Sequence, residues 1–307
     1  MTPIMSFLQD GHLSQNTEEA KRIKKRAARF TILNDALYKR GFSMPYLKCV
    51  DEEEARYILE EIHGGVCGNH AGPRSLVNKV VRTGYFWLTM QVDAIEIVKR
   101  CDKCQRYGNV QRLPAEKLTT ISSPWPFAQW GIDIVGPLPQ GKGQVKFLLV
   151  AIDYFTKWVK VEALGTITEA RIRSFVWKNI ICRFGVPLTI ISVNRRQFDS
   201  QGFKDFCSNL GIKNQFSPPG HPQANRQTEV TNRTLLKIVK TKLDDAKGAW
   251  TEELPNVLWA YRTTTRTPIG ETPFRLTYDT EAVIPVEVGV ASVRRGTFNL
   301  GCNDDEL

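Results

Sequence analysis

The chain has 307 residues, of which 42% are hydrophobic and 24% charged, and its formal net charge is +10. This composition excludes wholesale disorder, and at roughly 100–200 residues per domain the length allows two or three domains. The charge is uneven: residues 117–270 carry 21 Lys/Arg against 11 Asp/Glu, whereas residues 271–307 carry 3 against 7, so the middle of the chain is where a polyanion, nucleic acid first, would be drawn.

No apolar run approaches the ~18 residues of a membrane span, and the opening MTPIMSFLQDGHL lacks the basic and apolar regions of a secretory leader. The seven cysteines are odd in number and widely scattered, which speaks against a disulfide scaffold and for a reducing compartment with a metal site.

In chain order, residues 16–30 predict a helix with Asn16 as N-cap and Glu19 as its capping-box partner. Ala20, Ile23, Ala27 and Phe30 line one face; six Lys/Arg cover the rest as a solvated basic surface, with a phosphate contact or an import signal as sharper alternatives. Short apolar runs over 33–50 suggest small strands. A second helix starts after Asp51 and runs to about Ile62, a third opens at Pro73 and closes at Gly84, and a fourth spans about Met90 to Arg100 with Val92, Ile95 and Ile97 or Val98 inward.

His63 and His70, set among Gly64, Gly65, Gly68 and Gly72, precede a C-x-x-C formed by Cys101 and Cys104. A turn-spaced cysteine pair with two imidazoles completes a tetrahedral Zn2+ site with no position left for substrate, so the metal's role is structural. A small helical unit has little core, and such a staple would hold it. Cys67 is an alternative ligand. Residues 113–126, with three prolines and a Ser pair, form a linker.

QWGIDIV, KFLLVAIDYF and WVKVEAL then read as an antiparallel meander. A helix over about 168–184, the strand PLTIISV, a helix over about 201–210, the strand KNQFS, a Pro/Gly loop over 217–222, and helices from about Ala224 to Leu243 and from Trp250 to Tyr261 follow. Asp133 sits mid-strand between apolar neighbours, where a lone carboxylate is costly unless paired or metal-bound. Glu229 lies early in the long helix, where it also complements the dipole. Asp153, at the end of the second strand of the meander, reads as structural. The long helix carries Asn225, Gln227, Asn232, Arg233, Lys237 and Lys240; some of these share a face and could grip phosphates, with Asn225, Gln227, Arg233, Lys237 and Lys240 as the candidates.

The His pair, the C-x-x-C and the phrases WGIDIVGPLP, VAIDYFTKW, FGVPLTIIS and SPPGHPQANRQTE resemble the integrases of gypsy-type (Metaviridae) LTR retrotransposons, most closely those of plants, over about residues 1–290. The resemblance implies an α/β fold. A small helical HHCC zinc-binding domain (51–112) would follow an N-terminal extension (1–50). After the linker would come an RNase-H-like catalytic core (127–285), a five-stranded mixed sheet flanked by helices, and then a disordered tail (286–307). It implies DNA integration: binding of retroelement ends and target DNA, a homo-oligomer, and a nuclear location reached from the cytoplasm.

In that family three carboxylates hold two Mg2+ or Mn2+ ions for in-line phosphoryl transfer. Asp133 and Glu229 match the first and third. Counting back 35 intervening residues from Glu229 gives the second, and that position is Val193. The family's Ser-Asp-Asn-Gly reads Ser192-Val193-Asn194-Arg195 here, and Arg226 stands where a glycine is expected. An isopropyl group offers Mg2+ no oxygen; losing such a ligand should cost several kcal/mol of transition-state stabilisation, on the order of three decades in rate. Asp199 is the nearby spare carboxylate, but it lies past the strand end. The reading is an integrase by descent with crippled chemistry, and the alternative is a non-catalytic nucleic-acid-binding or interaction module derived from a retroelement.

Overall fold

The computed structural model describes residues 2–13, 15–41, 46–107, 123–193, 197–217, 226–243, 250–266 and 270–296. Two compact units divide the chain: Met1–Gln105 together with Glu281–Leu307, and Arg106–Thr280.

In the first unit, α1 (Thr2–Asp10) and α2 (Thr17–Ala27) precede the strands β1 (Phe30–Leu33), β2 (Ala36–Arg40) and β3 (Tyr46–Cys49). The Asn16 side chain accepts the Glu18 and Glu19 amides at 3.0 and 3.4 Å, which fixes the start of α2. α3 (Glu52–Gly64) is capped by Asp51, which accepts the Glu54 amide at 2.8 Å. α4 (Pro73–Arg82), β4 (Tyr85–Phe86), α5 (Met90–Arg100) and α6 (Asp102–Arg106) complete the order. The strands run β1-β2-β3-β4, antiparallel except for the parallel β3–β4 pair. Residues 1–50 are therefore not a bare extension: their sheet takes its fourth strand from the middle of the zinc-binding segment. α5 also differs from expectation. Its buried stripe runs through Ala94, with Ile97 and Val98 half-buried, while Val92 and Ile95 are 63% and 54% exposed. Positions 94, 97 and 98 follow the i, i+3, i+4 spacing of one helix face; 92 and 95 fall beside it.

The tail expected to be disordered from 286 is ordered through Gly296. α13 (Val286–Gly289) and α14 (Val293–Gly296) return to the first unit. Val286 and Glu287 are fully buried, the Tyr85 hydroxyl donates to the Val290 carbonyl, and Arg82 pairs with Glu281. A charge count could not foresee this, because Glu287 is internalised: its carboxylate accepts the Ile284 amide at 3.0 Å and the Ser292 hydroxyl at 2.6 Å. Residues 297–307 lie outside the described residues.

The second unit is a five-stranded mixed sheet of β5 (Gln129–Val135), β6 (Phe147–Asp153), β7 (Val159–Leu164), β8 (Thr189–Val193) and β9 (Lys213–Ser217), in the order β7-β6-β5-β8-β9. The meander is antiparallel, as expected; β8 and β9 join β5 in parallel. The helix foreseen over about 168–184 is present as α7 (Glu169–Phe175), a π-helical stretch (Val176–Ile181) and α8 (Cys182–Phe184). With α9 (Gln201–Asn209), it covers one face of the sheet, where Ile132, Ile134 and Leu149 meet Ile172, Phe175 and Phe203. α10 (Arg226–Leu243) and α11 (Trp250–Arg262) cover the other, where Leu148, Val150 and Ile152 meet Leu235, Ile238 and Val257. α12 (Pro273–Tyr278) follows. Strand period two sends Ile132 and Ile134 to the first core and leaves Asp133, between them, on the α10 side.

Candidate metal centre and carboxylate site

The zinc constellation closes. His63 comes from the last turn of α3, Cys101 from the end of α5, and Cys104 from α6. The ligand-type atoms of His63, His70, Cys101 and Cys104 all lie within 4.8 Å of one another. Cys104 Sγ is 3.3 Å from His63 Nε2, and Cys101 Sγ is 3.3 Å from His70 Nδ1. Tetrahedral ligands at zinc bond lengths of about 2.3 Å to sulfur and about 2.0 Å to nitrogen stand ~3.5 Å apart, so the donor set fits Zn2+. Burial pushes the His63 imidazole below its ordinary value of 6.5, which favours the neutral, ligating form.

The turn between the two histidines is tight. The His70 amide donates to the His63 carbonyl at 3.1 Å and the Gly68 amide to the Gly65 carbonyl at 2.8 Å. His70 adopts a left-handed φ of 48°, uncommon for a residue with a side chain. A Cβ on Gly68 would stand 2.5 Å from the His63 carbonyl oxygen, so this position requires glycine. Cys67, the alternative ligand, stands outside the set: its carbonyl accepts the buried Lys79 ammonium at 2.7 Å.

Asp133 is 9% exposed on the central strand β5. Its Oδ1 accepts the Ile134 amide at 2.7 Å, and its Oδ2 accepts the Asn232 side-chain amide at 2.7 Å. Asn232 is on α10, three residues after Glu229, so a direct contact ties the helix that carries the third carboxylate to the strand that carries the first. Asn232, one of the polar residues the sequence shows on this helix, is 6% exposed and turned inward. The clue in the sequence was its i+3 spacing from Glu229, one helical turn along the same face. The side chain of Glu229 lies outside the described residues.

Ile132 aligns with Ser192 on the parallel strand β8, the last pair of that ladder; Asp133, inside β5, and Val193, the last residue of β8, each follow by one residue. Val193 pairs in turn with Ser217 of β9. The side chain of Val193 lies outside the described residues. Asp199, the nearby spare carboxylate, is exposed and pairs with Lys204 at 2.7 Å. Arg195, Asn225 and the loop at 218–225 lie outside the described residues, as do the side chains of Arg226 and Gln227. Arg233 and Lys240 are exposed and Lys237 half-exposed; at positions i, i+4 and i+7 they share one solvent-facing stripe of α10.

Asp153 is structural, as its position suggested. It is fully buried and accepts the Phe127 amide at 3.1 Å and the Thr156 amide and hydroxyl at 2.7 and 2.6 Å. Burial pushes its carboxyl above the ordinary 3.8, opposed by these hydrogen bonds.

Residues 124–222 match the family model described as integrase core domain, and residues 50–110 match the integrase zinc binding domain. The chain is 27% identical over 241 residues to the transposon Tf2-3 and Tf2-4 polyproteins of Schizosaccharomyces pombe; the match takes in 78% of this chain and 18% of each polyprotein, so the chain spans under a fifth of the length of these relatives. Among solved structures, a chain of the simian T-cell lymphotropic virus intasome, in complex with PP2A regulatory subunit B56 gamma, superposes with a TM-score of 0.53 at 19% identity over 74% of both chains. The fold is integrase-like: a zinc-binding unit followed by an RNase-H-like mixed-sheet core.

Proposed function

We propose that this chain, which joins an integrase zinc-binding domain to an integrase core, is the integrase segment of a plant-like, gypsy-type LTR retrotransposon whose strand-transfer chemistry is crippled. Its partners are the ends of the element and a target duplex, it works as a homo-oligomer, and its place of action is the nucleus. The observation that supports the reading is Val193 in the sequence, 35 intervening residues before Glu229, on a strand β8 whose Ser192 pairs with Ile132, the neighbour of Asp133. Phosphoryl transfer by this fold draws on divalent ions for nucleophile activation and leaving-group stabilisation. In this chain Asp133, positioned by Asn232, and Glu229 remain, without the ligand between them. The basic stripe of Arg233, Lys237 and Lys240 supports phosphate binding independent of that chemistry. Arg226, three residues before Glu229, and Arg195 replace glycines of the motif; we infer that their charge partly takes the electrostatic place of an ion.

The test is strand transfer on a short duplex with Mg2+ or Mn2+, run beside Val193→Asp. The expected outcome is no detectable product from the native sequence and a gain of about three decades from the variant, with divalent-ion binding by calorimetry appearing only in the variant. Tight two-ion binding by the native chain would refute the impairment. Duplex binding without turnover in both proteins would favour the non-catalytic module.

A further inference from the structure

The four-ligand set leaves over one residue of the loop between the histidines. Cys67 stands four residues after His63 and three before His70 and is 2% exposed. Zn2+, a borderline-soft ion, accepts thiolate sulfur and imidazole nitrogen alike. Yet the donors that converge are those of His63, His70, Cys101 and Cys104. Side-chain type does not decide between His70 and Cys67, so the path of the loop must.

That path is pinned from outside the loop. Lys79, on α4, is 4% exposed. An ammonium buried so deeply is costly unless polar groups hold it, and the Cys67 carbonyl is one of its partners, at 2.7 Å. A hydrogen bond from an ionised donor is roughly twice as strong as a neutral one. The tether falls in the middle of the turn: the Gly68 amide returns to the Gly65 carbonyl and the His70 amide to the His63 carbonyl. His70 keeps its left-handed φ of 48°, a strained conformation that persists only where the surroundings over-determine it.

We infer that Lys79 is a positioning residue that selects the ligands of the zinc site: by holding the Cys67 carbonyl it keeps the turn that presents the His70 imidazole and withholds the Cys67 thiol. Without the ammonium the turn relaxes, the Cys67 sulfur gives its proton to solvent and bonds the metal, and His70 leaves as neutral imidazole. This role of Lys79 belongs to the zinc site and stands whether or not the core transfers strands.

The experiment loads the full chain with Co2+, whose thiolate-to-metal absorption in the near ultraviolet grows with the number of bound thiolates, and measures Zn2+ affinity by competition with a chelator. In Lys79→Met, which keeps the length of the side chain and removes the donor, that absorption should rise by about half as two thiolates become three. Lys79→Met with Cys67→Ala should return it to the two-thiolate level, with Zn2+ bound about tenfold or more weakly than in the native chain. Leu76→Ala removes a core side chain of the same helix, 1% exposed, and should lower the melting temperature with the native spectrum intact. A Lys79→Met spectrum and affinity equal to native would overturn the proposal. So would a spectral change that persists without Cys67, or the same change in Leu76→Ala. If Lys79→Met takes up no metal, Lys79→Gln decides. Its N–H donor sits on an arm one bond shorter, so it must drag the carbonyl or lose it, and native cobalt absorption in that variant would overturn the proposal as well.

Discussion

At Gly68 and Asp153 single atoms decide what the chain tolerates. A methyl group at Gly68 must displace the His63 carbonyl, 2.5 Å away, and His63 is a zinc ligand. Gly68→Ala is therefore expected to lower zinc affinity about tenfold or more, measured by competition with a chromogenic chelator; unchanged affinity would show that the turn relaxes without moving the ligand. Asp153 predicts a pH dependence. Its folded carboxyl titrates above the ordinary 3.8 because burial dominates. Between those two values the native state holds more protons than the unfolded chain, so stability falls as pH rises through that window. Urea unfolding of the core from pH 3.5 upward should show this slope, and Asp153→Asn should flatten it. The Asn232–Asp133 contact shows how far residue-level reading reached: the polar residues of α10 were visible in the sequence, but which of them turns inward depended on a strand 99 residues earlier.

Among the elements, α10 and the returning segment show two ways in which local pattern and tertiary setting divide the work. α10 was legible because Leu235 and Val239 recur at helical spacing and both are buried. The segment from 281 was not, because four-residue helices carry too little periodicity to announce themselves and a buried Glu287 looks like surface charge in a sequence. Val286 is fully buried in the same segment as the Tyr85–Val290 contact. Val286→Ala should cost the first unit ~2 kcal/mol, read as a lower melting temperature and faster amide exchange at Tyr85. A loss within ~0.5 kcal/mol would mean that the return contributes little.

For the whole molecule, the division into two compact units predicts separable melting. Chelation should abolish the cooperative transition of the first unit, whose core leans on the four-ligand site, and leave that of the five-stranded core in place. Differential scanning calorimetry with and without a strong chelator measures this. A single transition shifted as one by chelation would show that the units unfold together.

The sequence by itself determined the ligands and the letters: which residues could bind zinc, that the meander would alternate, and that a valine stands 35 intervening residues before Glu229. These are local facts, carried by spacing and side-chain type. Only the tertiary structure decided which face of β5 holds Asp133, that Asn232 reaches it, and that residues 1–50 and 281–296 complete the zinc-bearing unit. Such pairings join segments far apart in the chain. Their free energy comes from burying surfaces that no window of sequence contains together.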